Sequence, residues 1–379
     1  MSPRTSARSQ KFAFCEVVFM DIERKIELVM RKPAEETLTA DELRTLFQSN
    51  PHPKHYIGFE ISGKVHLGTG LMTALKIKDL LEAGVKPTIF LADYHAWINN
   101  KLGGDLQRIR EVALGYFKAG FISLGLEEGK VNYVLGSDIY DNDYWADVVR
   151  ITKSISIKRM LRCSTIMGRT EQETVEAASM LYPAMQAADI FKQELDIVHA
   201  GMDQRKAHVL AREVAEKLGK KKPVAIHCHL LAGLQQASRM GYDANEKLDL
   251  QISGKMSKSK PDSCIYVHDS EAEIKRKISK AYCPEKVVEE NPIVEICEYA
   301  LMRDEKSRLK IERPAKFGGN AEFGSIEELK KAYASGALHP MDLKSAVARD
   351  LSALLKPSRD YFAKKPELLK QIEETGITR

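Results

Sequence analysis

The 379-residue sequence has little that would place it in a membrane or outside the cell. Hydrophobic residues make up 44% of it, yet no uninterrupted apolar run approaches the roughly 18 residues that a membrane-spanning helix needs. Residues 1–10 are basic and rich in serine and lack a long apolar core. A secretory signal is therefore not supported, and we expect a disordered extension there, with a transit peptide as the weaker alternative.

Cysteine is sparse and scattered. The six cysteines include no Cys-x-x-Cys pair, which supports neither a disulfide framework nor a zinc ribbon and favours a reducing cytosol. Residues 227–229 (His-Cys-His) lie in a strand-like run whose alternate side chains point to opposite faces, so we predict no tightly bound protein metal. A net charge of +5 is compatible with an anionic partner but does not indicate one.

Strand-like and helix-like patterns alternate through the middle of the chain. Short apolar runs at residues 56–60, 88–92, 131–135, 195–198 and 224–226 are typical of buried strands. Repeated strand–helix–strand units predict an α/β fold with a doubly wound parallel sheet.

We divide the chain into residues 1–53 (an N-terminal extension with helices near 22–30 and 40–47), 54–268 (a Rossmann-like domain) and 269–379 (a helical domain). The last part shows no strand alternation, and Ser270-x-x-Glu273 and Ser325-x-x-Glu328 predict capping boxes. Residues 235–253 are polar, and we expect a surface excursion there.

Two stretches carry chemistry. Residues 61–70 (ISGKVHLGTG) lie between a predicted strand and a predicted helix, where backbone amides and the helix dipole favour phosphate. A core histidine beside turn glycines is the alternative for that stretch taken alone. Residues 254–260 (GKMSKSK) place three lysines among hydroxyls, a composition suited to holding a triphosphate, although a solvated basic loop is the commoner meaning of such a run.

Together the two stretches resemble the signature motifs of class I aminoacyl-tRNA synthetases. His66-Leu67-Gly68-Thr69 resembles the HIGH motif, and residues 255–259 reproduce KMSKS. The resemblance implies a Rossmann-like catalytic domain followed by an α-helical anticodon-binding domain, with magnesium-bound ATP as substrate. It implies catalytic roles for His66, Thr69, Lys255 and Lys258, and ATP contacts from Gly58, His66, Gly68, Gly201, Asp203, Lys255, Met256 and Lys258. Thr69 replaces the usual second histidine; its hydroxyl can donate one hydrogen bond but cannot carry a positive charge near neutral pH.

Further segments resemble the tyrosyl-tRNA synthetases of archaea and eukaryotes. These are residues 56–60 (YIGFE), 181–189 (LYPAMQAAD) and 201–208 (GMDQRKAH), and the resemblance covers roughly residues 54–357. It implies a tyrosine site formed by Tyr56, Tyr182, Gln186, Asp189 and Gln204. Tyr56 and an ionised Asp189 would satisfy the phenol hydroxyl of tyrosine and would be left unpaired by phenylalanine.

The resemblance also implies contacts with tRNA(Tyr). Arg162, Arg205 and Lys206 would face the acceptor end of the tRNA. Phe317 would stack on an anticodon base and Asp342 would accept hydrogen bonds from its Watson–Crick edge. The alternatives are a core position for Phe317 and a helix N-terminal charge for Asp342.

Three other functions share parts of this pattern. A tryptophanyl-tRNA synthetase has the same fold and both motifs, but an indole offers only a donor to Tyr56 and Asp189. A small nucleotidyltransferase would lack the helical domain, and a non-catalytic tRNA-binding paralogue would be expected to lose the KMSKS lysines. We expect a cytoplasmic homodimer on family resemblance, with L-tyrosine, ATP and tRNA(Tyr) as partners and no membrane.

Overall fold

A six-stranded sheet lies at the centre of the protein in the computed structural model, which describes residues 20–169, 176–257 and 261–373. Its strands are β1 (Ala34–Leu38), β2 (Lys54–Glu60), β3 (Lys86–Ala92), β4 (Asn132–Leu135), β5 (Ile197–Gly201) and β6 (Val224–Cys228). Their order is β1-β6-β5-β2-β3-β4, and all neighbours are parallel except β1, which is antiparallel to β6. The predicted α/β class and the five predicted strands are confirmed. The expected extension at residues 1–10 and Lys258 lie outside the described residues.

Helices cover the sheet and form most of the C-terminal part. Those up to residue 254 are α1 (Ile22–Met30), α2 (Ala40–Ser49), α3 (Met72–Glu82), α4 (Asp93–Ile98), α5 (Leu106–Val112), α6 (Lys118–Ser123), α7 (Asn142–Lys153), α8 (Ile157–Cys163), α9 (Tyr182–Lys192), α10 (Arg205–Lys217) and α11 (Glu246–Gly254). Those that follow are α12 (Glu271–Lys280), α13 (Pro292–Ile296), α14 (Ile326–Ser335), α15 (Pro340–Ala363) and α16 (Pro366–Glu373). None of the described helices combines the length and apolar character needed to cross a membrane.

Strand β2 lies beside β5 at the middle of the sheet. From β2 the chain builds outward to β3 and β4, and from β5 it builds in the other direction to β6. The two halves diverge at this switch point, where open α/β sheets leave a crevice at the carboxyl ends of the strands. Every residue of β3 except Lys86 is buried, as expected for a parallel strand covered on both faces.

Strand β1 escapes sequence prediction because it is mostly polar. Glu35, Glu36 and Thr37 occupy an edge position, where charged side chains discourage pairing with another chain. The carboxylate of Glu36 is bound by His227 of β6 and by Arg205 of α10. The sheet therefore begins about twenty residues before the predicted boundary at residue 54.

The C-terminal part is helical but not entirely so. Strands β7 (Leu309–Ile311) and β8 (Ala321–Phe323) form a small antiparallel pair, which corrects the expectation of no strands there. Each strand is only three residues long, too short for a period-two pattern to be visible in the sequence. One apolar core runs without interruption from Ile57 of the sheet to Leu343 of α15, so the C-terminal helices pack directly on the sheet domain.

Both predicted capping boxes form only in part. The hydroxyls of Ser270 and Ser325 accept hydrogen bonds from the amides of Glu273 and Glu328, as expected of N-caps. The reciprocal bonds are not made: Glu273 pairs with Arg276, and Glu328 accepts from the amide of Gly324. Each glutamate therefore accepts its hydrogen bond from a group other than the amide of the capping serine.

Residues 235–253, expected as a surface excursion, fold back on themselves around a buried carboxylate. Asp249 of α11 accepts hydrogen bonds from the amides of Gly241 and Tyr242 and from the guanidinium of Arg239. These donors lower the pKa of Asp249 although burial opposes its charge. Helix α11 ends at Gly254, so this ordered segment leads directly into Lys255.

Buried histidines make the stability of this fold depend on pH. Burial lowers the pKa of His55 to about 3 and that of His95 to about 4, with the charge of Lys76 adding to the effect at His55. Both folded values lie below the ordinary 6.5, so as the pH falls from there the unfolded chain binds protons that the folded chain does not. We expect the free energy of unfolding to fall by about 2 kcal/mol per histidine between roughly pH 7.5 and pH 5.

Urea denaturation at the two pH values measures this loss. The His229 pKa is raised to about 9, so its contribution is fully present below pH 6.5 and offsets part of the loss. A His55→Gln variant should show a shallower pH dependence than the unaltered chain. An identical slope in the two proteins would contradict the assignment to His55.

Candidate active site

A cavity of about 320 Å³ opens at the carboxyl ends of β2, β3, β5 and β6, beside the switch point of the sheet. Every described residue that was predicted to bind tyrosine or ATP, or to act in catalysis, lines it: Tyr56, Gly58, His66, Gly68, Thr69, Tyr182, Gln186, Asp189, Gly201, Asp203, Gln204, Lys255 and Met256. Motifs far apart in the sequence therefore meet around one space.

Asp189 and Tyr56 form one polar end of the cavity. The carboxyl group of Asp189, on α9, accepts a hydrogen bond from the Tyr144 hydroxyl at 3.0 Å. Burial raises the pKa of Asp189 well above the usual range, and the hydrogen bonds from Tyr144 and Tyr140 only partly oppose it, so the structure works against the ionised state predicted from the sequence. Burial, followed by the charge of Asp189, also raises the pKa of Tyr56, whose hydroxyl stays protonated at neutral pH.

The neighbouring wall is lined by Tyr182, Gln186 and Gln204. The Tyr182 hydroxyl donates to Glu60 at 3.4 Å, and the amide nitrogen of Gln204 donates to the backbone oxygen of Ile166 at 2.9 Å. The side-chain oxygen of Gln186 is buried and has no hydrogen-bond partner among the residues that the structure describes. Buried acceptors are normally paired, so this oxygen marks a place for a donor on a ligand.

His66 caps the tight helical turn Leu67–Leu71 that precedes α3. Its Nδ1 accepts from the amide of Gly68 at 3.2 Å, so a neutral ring carries its proton on Nε2 and can donate from there. The Thr69 hydroxyl accepts from the His66 amide at 3.3 Å, which gives threonine a local structural task at the position of the usual second histidine. A Cβ at Gly68 would lie 3.2 Å from the His66 ring, so glycine makes room for this arrangement.

Lys255 reaches across the cavity to Asp203, and its ammonium lies 2.5 Å from a carboxylate oxygen. Burial opposes the charge on Lys255, but the attraction and hydrogen bond of Asp203 outweigh it and raise the lysine pKa. The ammonium is therefore charged at neutral pH, and a phosphate group entering the cavity would compete with Asp203 for it.

A second cleft, of about 660 Å³, adjoins the cavity at Asp203. Arg205 and Lys206 line it, but each is already paired: Arg205 with both oxygens of Glu36, and Lys206 with Asp243 at 3.1 Å. Arg162, the third residue predicted to contact the acceptor end, is exposed on α8 and does not line either space.

Phe317 and Asp342 lie together in the C-terminal part. Phe317 is 61% exposed, which excludes the alternative core position, and the Lys316 ammonium lies 4.9 Å from its ring centre. Asp342 stands in the first turn of α15 and pairs with Arg313 at 3.5 Å. Arg313 also donates to the backbone oxygen of Gly319, two residues beyond Phe317, which ties the two predicted anticodon contacts together.

Sequence reasoning missed several polar residues of the site. Glu60 accepts from Tyr182 and Asn99, and Tyr144 donates to Asp189. Glu60 carries a signal, since an acidic residue ends a buried strand at the edge where ligands bind. Tyr144 carries none, because its helix contributes no motif. Among the described residues no group of three or more metal-type side chains is placed to hold an ion.

Known proteins resemble this chain along almost its whole length. The sequence model described as tRNA synthetases class I (W and Y) matches residues 48–356. A tyrosine–tRNA ligase of Thermococcus kodakarensis is 53% identical over 375 residues, covering 95% of this chain and 100% of the relative. The tyrosine–tRNA ligase of Pyrococcus abyssi is 51% identical with the same coverage.

Solved structures give the same result. A tyrosyl-tRNA synthetase from Pyrococcus horikoshii, complexed with L-tyrosine, matches with a TM-score of 0.88 and 49% identity over 94% of this chain and 100% of that one. A tryptophanyl-tRNA synthetase from Aeropyrum pernix matches at a TM-score of 0.64 and 19% identity over 90% of this chain and 85% of that one. The latter likeness concerns the fold alone, so tryptophan is not favoured as the substrate.

Proposed function

The chain belongs to the class I tRNA synthetases, in the tyrosine–tRNA ligase family, and we propose from that premise how its own residues carry out the reaction. The enzyme activates L-tyrosine with ATP and transfers it to the 3′ end of tRNA(Tyr). The observation that supports the residue roles is that one cavity is lined by Tyr56 and Asp189, by His66 and Thr69, and by the Lys255–Asp203 pair.

In the first step an oxygen of the tyrosine carboxylate attacks the α-phosphorus of ATP. A phosphorus–oxygen bond forms, the bond to pyrophosphate breaks, and tyrosyl adenylate results. ATP enters as its magnesium complex. The substrate phenol hydroxyl lies between Tyr56 and Asp189, and the α-ammonium group donates to the unpaired oxygen of Gln186, with Tyr182 and Gln204 beside it. No protein nucleophile is needed, because positioning brings the reactants together.

Charge develops on the phosphate oxygens during this step. His66 donates from Nε2, and Lys255 exchanges Asp203 for the departing pyrophosphate. Asp203 is then available to the ribose hydroxyls of ATP, the role that the family resemblance gives it. Thr69 holds the turn and presents its hydroxyl to the same side of the cavity.

In the second step the terminal ribose hydroxyl of the tRNA takes the tyrosyl group and AMP leaves. The cleft beside Asp203 gives the acceptor end a route to the cavity, along Arg205 and Lys206. Their carboxylate partners hold the two cations in place until phosphates compete for them. In the C-terminal part, exposed Phe317 offers a stacking face to the anticodon, and partly buried Asp342 offers an acceptor.

The activity is tested by ATP–pyrophosphate exchange with tyrosine, tryptophan and phenylalanine in parallel. We expect exchange with tyrosine alone. Exchange with tryptophan would keep the reaction and overturn the proposed pocket roles of Tyr56 and Asp189. If well-folded protein exchanges with none of the three, the non-catalytic tRNA-binding alternative replaces the enzyme, and Thr69 becomes the first residue to examine.

We also propose a homodimer in the cytoplasm. Val149 of α7 and Ile157 and Leu161 of α8 are large apolar side chains on consecutive helices that are 66%, 74% and 41% exposed, and burying them against a second copy of the chain would remove this apolar surface from water. The described cysteines are all free, which suits a reducing compartment. Sedimentation equilibrium should give twice the chain mass, and an Ile157→Asp variant should shift it toward the monomer.

A further inference from the structure

His229 lies directly after β6 and is held on both ring nitrogens by carboxylates. Its Nδ1 is 2.7 Å from Glu35 of β1, and its Nε2 is 3.0 Å from Glu295 of α13. The ring also stacks on Tyr299 at a centroid distance of 4.0 Å. Burial works against its charge, but the two carboxylates raise its pKa to about 9, so the ring is an imidazolium at neutral pH.

The same Glu295 oxygen holds the adjacent backbone. It accepts a hydrogen bond from the amide of Ala232 at 3.0 Å, in addition to the one from His229. Residues 229–231 line the nucleotide side of the cavity, beside Lys255 and Met256. One carboxylate of the C-terminal helical part therefore fixes both ends of a four-residue segment of the cavity wall.

That wall is bonded in turn to the start of the KMSKS segment. The amide of Met256 donates to the backbone oxygen of Leu231 at 2.8 Å, and the amide of Gly233 donates to the backbone oxygen of Gly254 at 2.8 Å. Ala232 and Lys255 form an isolated antiparallel bridge between these bonds. Helix α13 is thus connected to the backbone around Lys255 through Glu295, the wall segment at Ala232 and the two backbone hydrogen bonds.

We propose that Glu295 and His229 are positioning residues, through which the C-terminal helical part fixes the start of the KMSKS segment in the geometry needed for attack on ATP. The inference rests on the proposed function, since the step that it serves is adenylate formation. Glu295 touches no substrate; it acts through the wall segment. Tyr56 and Asp189 lie on other elements, so the tyrosine end of the cavity does not depend on it.

Removing the carboxylate should loosen the wall in a defined way. In a Glu295→Ala variant the Ala232 amide loses its acceptor and His229 keeps one carboxylate of two, so the wall segment that is bonded to the backbone around Lys255 loses its anchor on α13. A displacement of about 1 Å at a reacting group can lower the rate about 100-fold. We expect kcat for ATP–pyrophosphate exchange to fall about 10- to 100-fold, with KM for tyrosine unchanged within about twofold.

Glu298 supplies a matched control from the next turn of the same helical stretch. Its carboxylate is similarly buried at the same junction and pairs with Lys32 and with Lys330, at 2.6 Å from the latter, but it bonds to no residue of the wall segment. A Glu298→Ala variant should therefore lower stability while leaving kcat for exchange within about threefold of the unaltered chain. Glu295→Gln keeps an oxygen acceptor for the Ala232 amide and should recover part of the lost rate.

The three variants and the unaltered chain are compared in exchange assays, with thermal unfolding measured on each. Loss of kcat in Glu295→Ala, partial recovery in Glu295→Gln and near-normal rates in Glu298→Ala support the proposal. Equal losses in the two alanine variants would overturn it and leave Glu295 a purely stabilising residue. If Glu295→Ala does not fold, the exchange rates of Glu295→Gln and Glu298→Gln are compared instead. A slower rate in Glu295→Gln supports the proposal, and equal rates overturn it. An inactive but folded unaltered chain would instead overturn the proposed function.

Discussion

Replacing Lys255 with alanine should slow tyrosyl adenylate formation about 100- to 1,000-fold, the usual effect of removing one preorganised charge from a reacting group. The Lys255 ammonium is charged and lies in the cavity, where it is held by Asp203 at 2.5 Å until phosphate displaces the carboxylate. Its alanine variant leaves the departing pyrophosphate without this cation. Single-turnover formation of the adenylate, followed by rapid quench, measures the loss.

Tyrosine binding should survive the same change. The Kd of tyrosine, from equilibrium dialysis, should stay within about twofold, because Tyr56 and Asp189 do not touch Lys255. Lys217→Ala, at the exposed end of α10, is the control for loss of one positive charge and should react at the normal rate. A Lys255→Ala enzyme as fast as the Lys217→Ala enzyme would remove Lys255 from the mechanism.

The parts of the fold that sequence predicts are those whose residues repeat a pattern over neighbouring positions. The apolar run of β3 is buried on both faces, so nearly every residue of that strand carries the signal. Strand β1 has the composition of a loop, and only its pairing with β6 and the ion pairs of Glu36 make it a strand. These contacts join residues that are far apart in the sequence, so the local sequence of β1 does not indicate a strand.

The same division runs through the site. His66, Asp203 and Lys255 belong to contiguous motifs, so the sequence predicts these residues without knowledge of the cavity that joins them. Tyr144 and Glu295 each reach the site from a separate element, by a hydrogen bond across many residues of sequence. Their roles arise from packing and could not be derived from spacing along the chain.

Asp189→Asn should lower the preference for tyrosine over phenylalanine about 10- to 100-fold, measured as the ratio of kcat/KM values in exchange assays. The carboxyl group of Asp189 is buried against Tyr144 and faces the space assigned to the substrate hydroxyl. Leaving a buried hydroxyl without its hydrogen-bond partner costs about 1–3 kcal/mol, and each 1.4 kcal/mol is tenfold in the ratio. Phenylalanine makes no such bond, so its own kcat/KM should change little.

Asp93 offers the matched control, because it is a buried carboxylate near Asp189 that does not line the cavity. It binds Arg110 and the amide of Ser137, so Asp93→Asn should lower stability without altering the preference. Should both variants keep the full preference for tyrosine, recognition of the phenol would have to come from Tyr56 alone. Should Asp93→Asn lose it as well, the discrimination would depend on the packing of α4 and α9 rather than on a bond to Asp189.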